Sequence, residues 1–259
     1  MSGGLVVHFS RNVFAAAIWC SRNSESFSKV NGDNILMENN KVPVYTIFEK
    51  TDDNVSYVVK PLNGDFKKVY PSGFEFDLNS NDSAAIGNVI RQSDRTYIEK
   101  KFSYQGVPVH LKHLPTSVQI DGPRRPLTDL LISNSIFLVS NRFRAVVEEL
   151  EPQIHQFASV ELVWKDDLYA GNYFWFYPCA RVDGMNRVET THELRRDRYW
   201  KEVFNGNYVV DLLRVGNNNI WIDPRVLAFY HPFVSETFKK AMDTAAVSGV
   251  GYHEVSTTD

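Results

Sequence analysis

Two histidines three residues apart, His110 and His113, are the first residues whose type and spacing suggest chemistry. On a helix they would share one face and could both reach a metal ion. However, residues 107–111 have the pattern of a strand, which would point them to opposite faces. No Asp, Glu or Cys lies nearby at a recognisable ligand spacing. The sequence therefore predicts no metal site here.

Other catalytic patterns are also incomplete. His192 and Glu193 resemble the start of a zinc-protease helix, but the second histidine is replaced by Arg196. The chain has no Gly-x-Ser-x-Gly nucleophile elbow, and the glycines at 249 and 251 lack the lysine of a phosphate-binding loop. Cys179 follows an aromatic run, which is typical of a buried structural thiol. We predict no catalytic residue, no cofactor and no metal.

Acidic residues are plentiful and allow two interpretations. A pair of carboxylates can perform acid–base chemistry, but exposed charges at helix ends and turns are the commoner explanation. Alternatively, acidic residues beside aromatic ones can form a surface that attracts a basic partner protein. The residues we predict for partner binding are Glu148, Glu149, Glu151, Trp164, Asp166, Asp167 and Tyr169.

The bulk composition limits the class of protein. Of the 259 residues, 43% are hydrophobic and 23% charged, which is typical of a globular protein. A net charge of −3 argues against nucleic-acid binding, which needs a basic face. Two cysteines form no disulfide framework, and no apolar run is long enough to cross a membrane. These features predict a cytoplasmic protein that binds neither nucleic acid nor membrane.

Changes in pattern divide the chain into three parts. Residues 1–41 are predicted to be an N-terminal extension, 42–125 a sheet-rich lobe, and 126–259 a core. Within the first lobe, residues 42–48 and 55–59 are predicted to pair as a hairpin. A helix is predicted at 83–91, and another at 124–134 that opens at Pro126. The aromatic run at 169–177 has bulky residues at every position, which predicts a central strand covered on both faces.

One unit occurs twice in the core, at residues 136–160 and 231–255. Ser140 and Ser235 each follow an apolar residue and precede an amphipathic stretch, as helix N-caps do. The 95-residue offset also aligns Phe143 with Phe238, and it extends further to Phe157 and Tyr252. We therefore predict an α+β protein whose mixed sheets contain a twice-occurring strand, serine-capped helix and strand.

Residues 126–160 resemble a bacterial immunity-protein family that was first described as a domain of unknown function. The shared pattern consists of Pro126, Asp129, Leu130, Val139, Ser140, Phe143, Arg144, Gln156 and Phe157. The similarity extends over residues 173–187 and 233–255, although Asn186 stands where the family has a second aspartate.

The resemblance implies a protein encoded beside a polymorphic toxin, often one delivered by type VI secretion or in an Rhs-type shell. Such a protein binds its cognate toxin and protects the producing cell and its kin. No contact residue can be transferred, because toxin contacts vary within such families. An enzyme that reverses a toxin's modification, or an adaptor in a secretion machine, remains an alternative. The oligomeric state stays open.

Overall fold

The computed structural model describes residues 42–51, 57–69, 106, 108–133, 136–197, 199–226 and 232–258. The predicted extension at 1–41 and the predicted helix at 83–91 lie outside these residues. The described chain is of the α+β type, with mixed sheets and few helices. Strands from before and after residue 125 share both large sheets.

The larger sheet has six strands in the order β2-β3-β6-β7-β5-β4. Only the pair β3 and β6 is parallel. The strands are β2 (Val58–Pro61), β3 (Ser117–Asp121), β4 (Leu130–Ser133), β5 (Ile136–Val139), β6 (Gln156–Trp164) and β7 (Tyr169–Tyr177).

The smaller sheet has five strands in the order β10-β13-β1-β12-β11, in which β10 and β13 are parallel. Its strands are β1 (Val44–Glu49), β10 (Val209–Asp211), β11 (Ile220–Trp221), β12 (Phe233–Ser235) and β13 (Val250–Thr258). A separate hairpin joins β8 (Glu193–Arg195) and β9 (Tyr199–Lys201). The helices are α1 (Phe66–Val69), α2 (Asn141–Leu150), α3 (Leu212–Val215) and α4 (Glu236–Thr244).

The prediction of a central strand at 169–177 is confirmed, because β7 lies between β6 and β5. Its side chains alternate between two hydrophobic clusters: Tyr173, Trp175 and Tyr177 enter one, and Phe174 and Phe176 the other. The second cluster also contains residues of α2, α4 and the smaller sheet, so it joins the two sheets into one core.

Three local predictions are wrong. β1 pairs with β12 and β13, while β2 pairs with β3, so no hairpin joins β1 to β2. The stretch after Pro126 is strand β4, because Leu130 and Leu131 are buried on opposite faces of the larger sheet. The strand predicted at 107–111 is replaced by extended chain and a single 3₁₀ turn at Leu111–His113.

Both serine caps are present. The Ser140 hydroxyl accepts the Phe143 amide at 3.3 Å, and the Ser235 hydroxyl accepts the Phe238 amide at 3.1 Å. Each hydroxyl also donates to a side chain that precedes an edge strand: Ser140 to Asp129 at 2.6 Å and Ser235 to Asn219 at 2.8 Å. The two helices therefore begin in matching local surroundings.

We expect Ser140→Ala to lower the free energy of unfolding by about 1–2 kcal/mol, because it removes both the cap and the bond to Asp129. Urea denaturation measures this loss. Ser159→Ala, an exposed serine on β6, is the matched control and should stay within about 0.5 kcal/mol of wild type. A capping role would be contradicted if both variants were equally stable.

The packing of α2 on α4 closes the core between the sheets. The Phe143 and Phe238 rings meet edge to face, with centroids 6.1 Å apart, and both residues are fully buried. Among the described residues, no helix has the length and apolar character needed to cross a membrane.

Candidate partner-binding surface

Two of the predicted binding residues lie at the end of α2. Glu148 and Glu149 are exposed, and Glu148 accepts a hydrogen bond from Arg144 at 2.8 Å. The Arg144 guanidinium in turn lies over the Phe174 ring at 4.6 Å from its centroid. The face of α2 that carries Glu148 therefore presents a fixed cation as well as an acidic side chain.

Glu151 belongs to the interior, unlike its two neighbours. It is 5% exposed, and one carboxylate oxygen contacts the His155 ring nitrogen Nε2 at 2.5 Å. The other oxygen accepts the backbone amides of Asn219 and Ile220. Glu151 therefore links the end of α2 to the start of β11, and we exclude it from the proposed surface.

The remaining predicted residues lie around the hairpin that joins β6 to β7. Trp164 is buried beneath it, with its ring 6.1 Å from that of Tyr57. Asp166 and Asp167 occupy the turn, where Asp167 adopts the left-handed conformation (φ 63°). Tyr169 is 60% exposed at the start of β7. The hairpin thus projects two acids and one aromatic ring over a buried tryptophan.

These two groups do not form one small patch. They lie at opposite ends of β6, whose nine residues span about 26 Å at the usual rise of a strand. An interface of ordinary size can cover the hairpin without reaching α2.

An exposed face of the larger sheet extends from the hairpin. We call it the open sheet face; its exposed residues are Val58, Lys60, Asp121, Ser159, Glu161, Asn172 and Tyr169. They share one side because Val59, Ile120, Val160 and Leu162 enter the core cluster on the other side. Strand register sets Val58 opposite Asp121 and Glu161 opposite Asn172.

A β-bulge aims Tyr169 onto this face. The register shifts between Leu162 and Val163, so that Tyr169 pairs with Val163 while Ala170 packs on the core cluster. Without the bulge, alternation would place Tyr169 on the same side as Tyr173. Bulges are often found where a strand has to redirect a side chain.

Most charged side chains at the hairpin are already in ion pairs. Arg124 pairs with Asp166, and Lys165 contacts Asp121 at 2.9 Å. One of the two predicted acids of the turn, Asp166, is therefore neutralised by a neighbouring base, and Leu168 and Tyr169 on the same hairpin are exposed. Glu161 and Asn172 were missed in the sequence, although the alternation of Ser159 and Glu161 with Val160 and Leu162 predicts that one face of this strand is exposed.

Two groups with strongly raised pKa values, Cys179 and Asp223, lie inside the protein. Burial raises the pKa of the Cys179 thiol to about 12, and its backbone amide donates to His155. Burial also raises the pKa of Asp223 to about 7, although that carboxylate accepts the backbone amides of Arg225 and Gly184. Among the described residues, no group of three or more potential ligands could hold a metal ion.

Fold and surface together define a mixed-sheet α+β protein with an exposed sheet face framed by ion pairs. The model of the immunity protein family Imm11 matches residues 37–257, which is most of the chain. The chain therefore belongs to this immunity protein family, and the resemblance noted at residues 126–160, 173–187 and 233–255 is confirmed. A search of curated proteins found no match.

Proposed function

We propose that this protein neutralises a cognate toxin by direct one-to-one binding and so protects the producing cell and its kin. The observation that carries the proposal is its membership of an immunity family over residues 37–257. We place the protein in the cytoplasm, with a toxin as its partner rather than nucleic acid or membrane. Binding rather than catalysis is favoured because Cys179 and Asp223, two potentially reactive groups whose pKa values are raised, are buried.

The open sheet face is the surface we propose for the toxin, with Tyr169 as its central aromatic contact. Tyrosine contributes a large contact area for few lost rotamers and is enriched among residues that dominate binding energy. The ion pairs at the hairpin hold the charged side chains around it. Asp166, Asp167 and, further away, Glu148 and Glu149 would lie at the rim, where charges affect association rate more than affinity.

We propose that the repeated unit, at residues 136–160 and 231–255, is the scaffold that supports this surface. Matching local contacts support it: besides the two serine caps, Arg144 lies over Phe157 and Phe174, and Lys239 lies over Tyr252 and Tyr45. Each cation also contacts an acid four residues later, Glu148 or Asp243. In each copy a helix connects two parallel strands that flank a third.

Co-expression with the protein encoded by the adjacent reading frame tests the proposed function. We expect that protein to stop growth alone, and wild-type immunity protein to restore growth and co-purify with it. Tyr169→Ala should weaken the purified complex about 10- to 100-fold, as the loss of an aromatic anchor does. Val188→Ala, an exposed residue outside the open sheet face, is the control. The proposal would be contradicted if the protein encoded by the adjacent reading frame did not stop growth, or if growth were restored without formation of a complex.

A further inference from the structure

Phe204 is 92% exposed on the turn at residues 203–206, between β9 and β10. The turn is closed by the Gly206 amide, which donates to the Val203 carbonyl at 2.9 Å. Asn205 adopts the left-handed conformation (φ 57°), which asparagine tolerates better than most residues. The backbone therefore holds the phenyl ring away from the protein.

His192 holds this turn in place through a hydrogen bond. Its Nδ1 accepts the Val203 amide at 3.2 Å, and its ring lies 4.1 Å from the Tyr208 ring between centroids. Gly206 is required beside it, because a Cβ there would collide with the imidazole. Burial lowers the pKa of His192, which keeps the ring neutral and Nδ1 free to accept. The turn is thus ordered before any partner binds.

Glu202 adds a charge two residues before Phe204. Partial burial raises its pKa, and it forms no ion pair within the described part of the chain. A cation brought to this position would gain a carboxylate that is already partly desolvated. This segment therefore carries an exposed aromatic ring and an acid that forms no ion pair with the described residues, two positions apart in the chain.

We infer that Phe204 is a partner-binding anchor, which inserts into an apolar pocket of the toxin that has a lysine or arginine at its rim. Rigid presentation favours tight binding because little conformational freedom is lost when the ring is buried. His192 is the positioning residue of this anchor. The inference rests on the proposed binding function, but it does not depend on the open sheet face being a contact.

Calorimetric titration with the protein encoded by the adjacent reading frame tests the inference. Phe204→Ala should weaken binding at least about 30-fold, the range of residues that dominate an interface. Leu213→Ala, which removes an 82% exposed side chain from α3, is the matched control and should stay within about twofold. Glu202→Gln should slow association, and this effect should shrink at high salt.

The support from His192 has its own measurement, which needs no partner. His192→Phe removes the acceptor, so hydrogen exchange of the Val203 amide should accelerate at least about tenfold, since the amide loses its hydrogen bond. Equal affinity of wild type and Phe204→Ala would overturn the inference and leave the proposed function standing. Absence of any binding by wild type would overturn both. If affinity falls in Phe204→Ala but not in Tyr169→Ala, the result supports Phe204 as the anchor and excludes the open sheet face from the interface.

Discussion

Replacing Glu151 with alanine should lower the free energy of unfolding by about 3–5 kcal/mol, because three N–H donors lose their buried acceptor and each unsatisfied donor costs about 1–3 kcal/mol. The Cys179 amide donates to Nδ1 of His155, so the ring proton lies on Nε2 and is donated to Glu151. Without the carboxylate, that proton and the amides of Asn219 and Ile220 lose their acceptor. The end of α2 would also lose its link to the smaller sheet.

Two further variants separate this role from a surface role. Glu151→Gln keeps one acceptor oxygen and should cost less, about 1–3 kcal/mol, because one of the three donors then faces an amide hydrogen. Glu149→Ala removes an exposed charge two residues earlier and should change stability by less than about 0.5 kcal/mol. Urea unfolding with equal stability for Glu151→Ala and Glu149→Ala would contradict the internal role of Glu151.

Arg225→Ala should be destabilising on the same scale, about 3–5 kcal/mol, because it removes a fully buried cation from a network of ion pairs. Arg225 is 0% exposed; its Nε lies 3.1 Å from the Asp183 carboxylate and its Nη1 donates to the Asp197 carbonyl. Asp223, which is also buried, accepts the Arg225 amide at 2.8 Å. The arginine thus connects the β8–β9 hairpin to the segment that follows β7.

Arg214→Ala is the matched control for this prediction. Arg214 approaches the same Asp183 carboxylate at 3.7 Å but is partly exposed, so its loss should cost less than about 1 kcal/mol. Arg225→Lys keeps the charge but lacks the planar guanidinium, so its loss of stability should lie between those of Arg225→Ala and Arg214→Ala. If thermal unfolding showed that Arg225→Ala lowers stability no more than Arg214→Ala does, the role of the buried charge in stabilising this network would be contradicted.

Features that depend on local sequence were predictable. The aromatic run of β7 and the serine caps follow from the periodicity and chemistry of a few adjacent residues. Strand pairing was not predictable in the same way. β1 pairs with β12, about 190 residues later, and no local signal distinguishes that partner from the nearer β2. Pro126 and the leucines that follow it into β4 suit a helix as well as a strand. Only the burial of Leu130 and Leu131 on opposite faces distinguishes the two.

The candidate surface was predictable only in part. Asp166, Asp167 and Tyr169 are exposed as a hairpin end predicts, but the ion pairs Arg124–Asp166 and Lys165–Asp121 form only because β3 pairs with β6. The orientation of Glu151 depends on a contact 68 residues away. The exposure of Phe204 depends on the support of its turn by His192, which sequence alone did not indicate.

Titration of the purified toxin with increasing amounts of this protein distinguishes binding from turnover. We expect toxin activity to fall linearly and to reach zero at a one-to-one molar ratio, since each molecule occupies one toxin molecule. Complete and progressive inactivation at a small fraction of that ratio would show turnover and contradict neutralisation by binding.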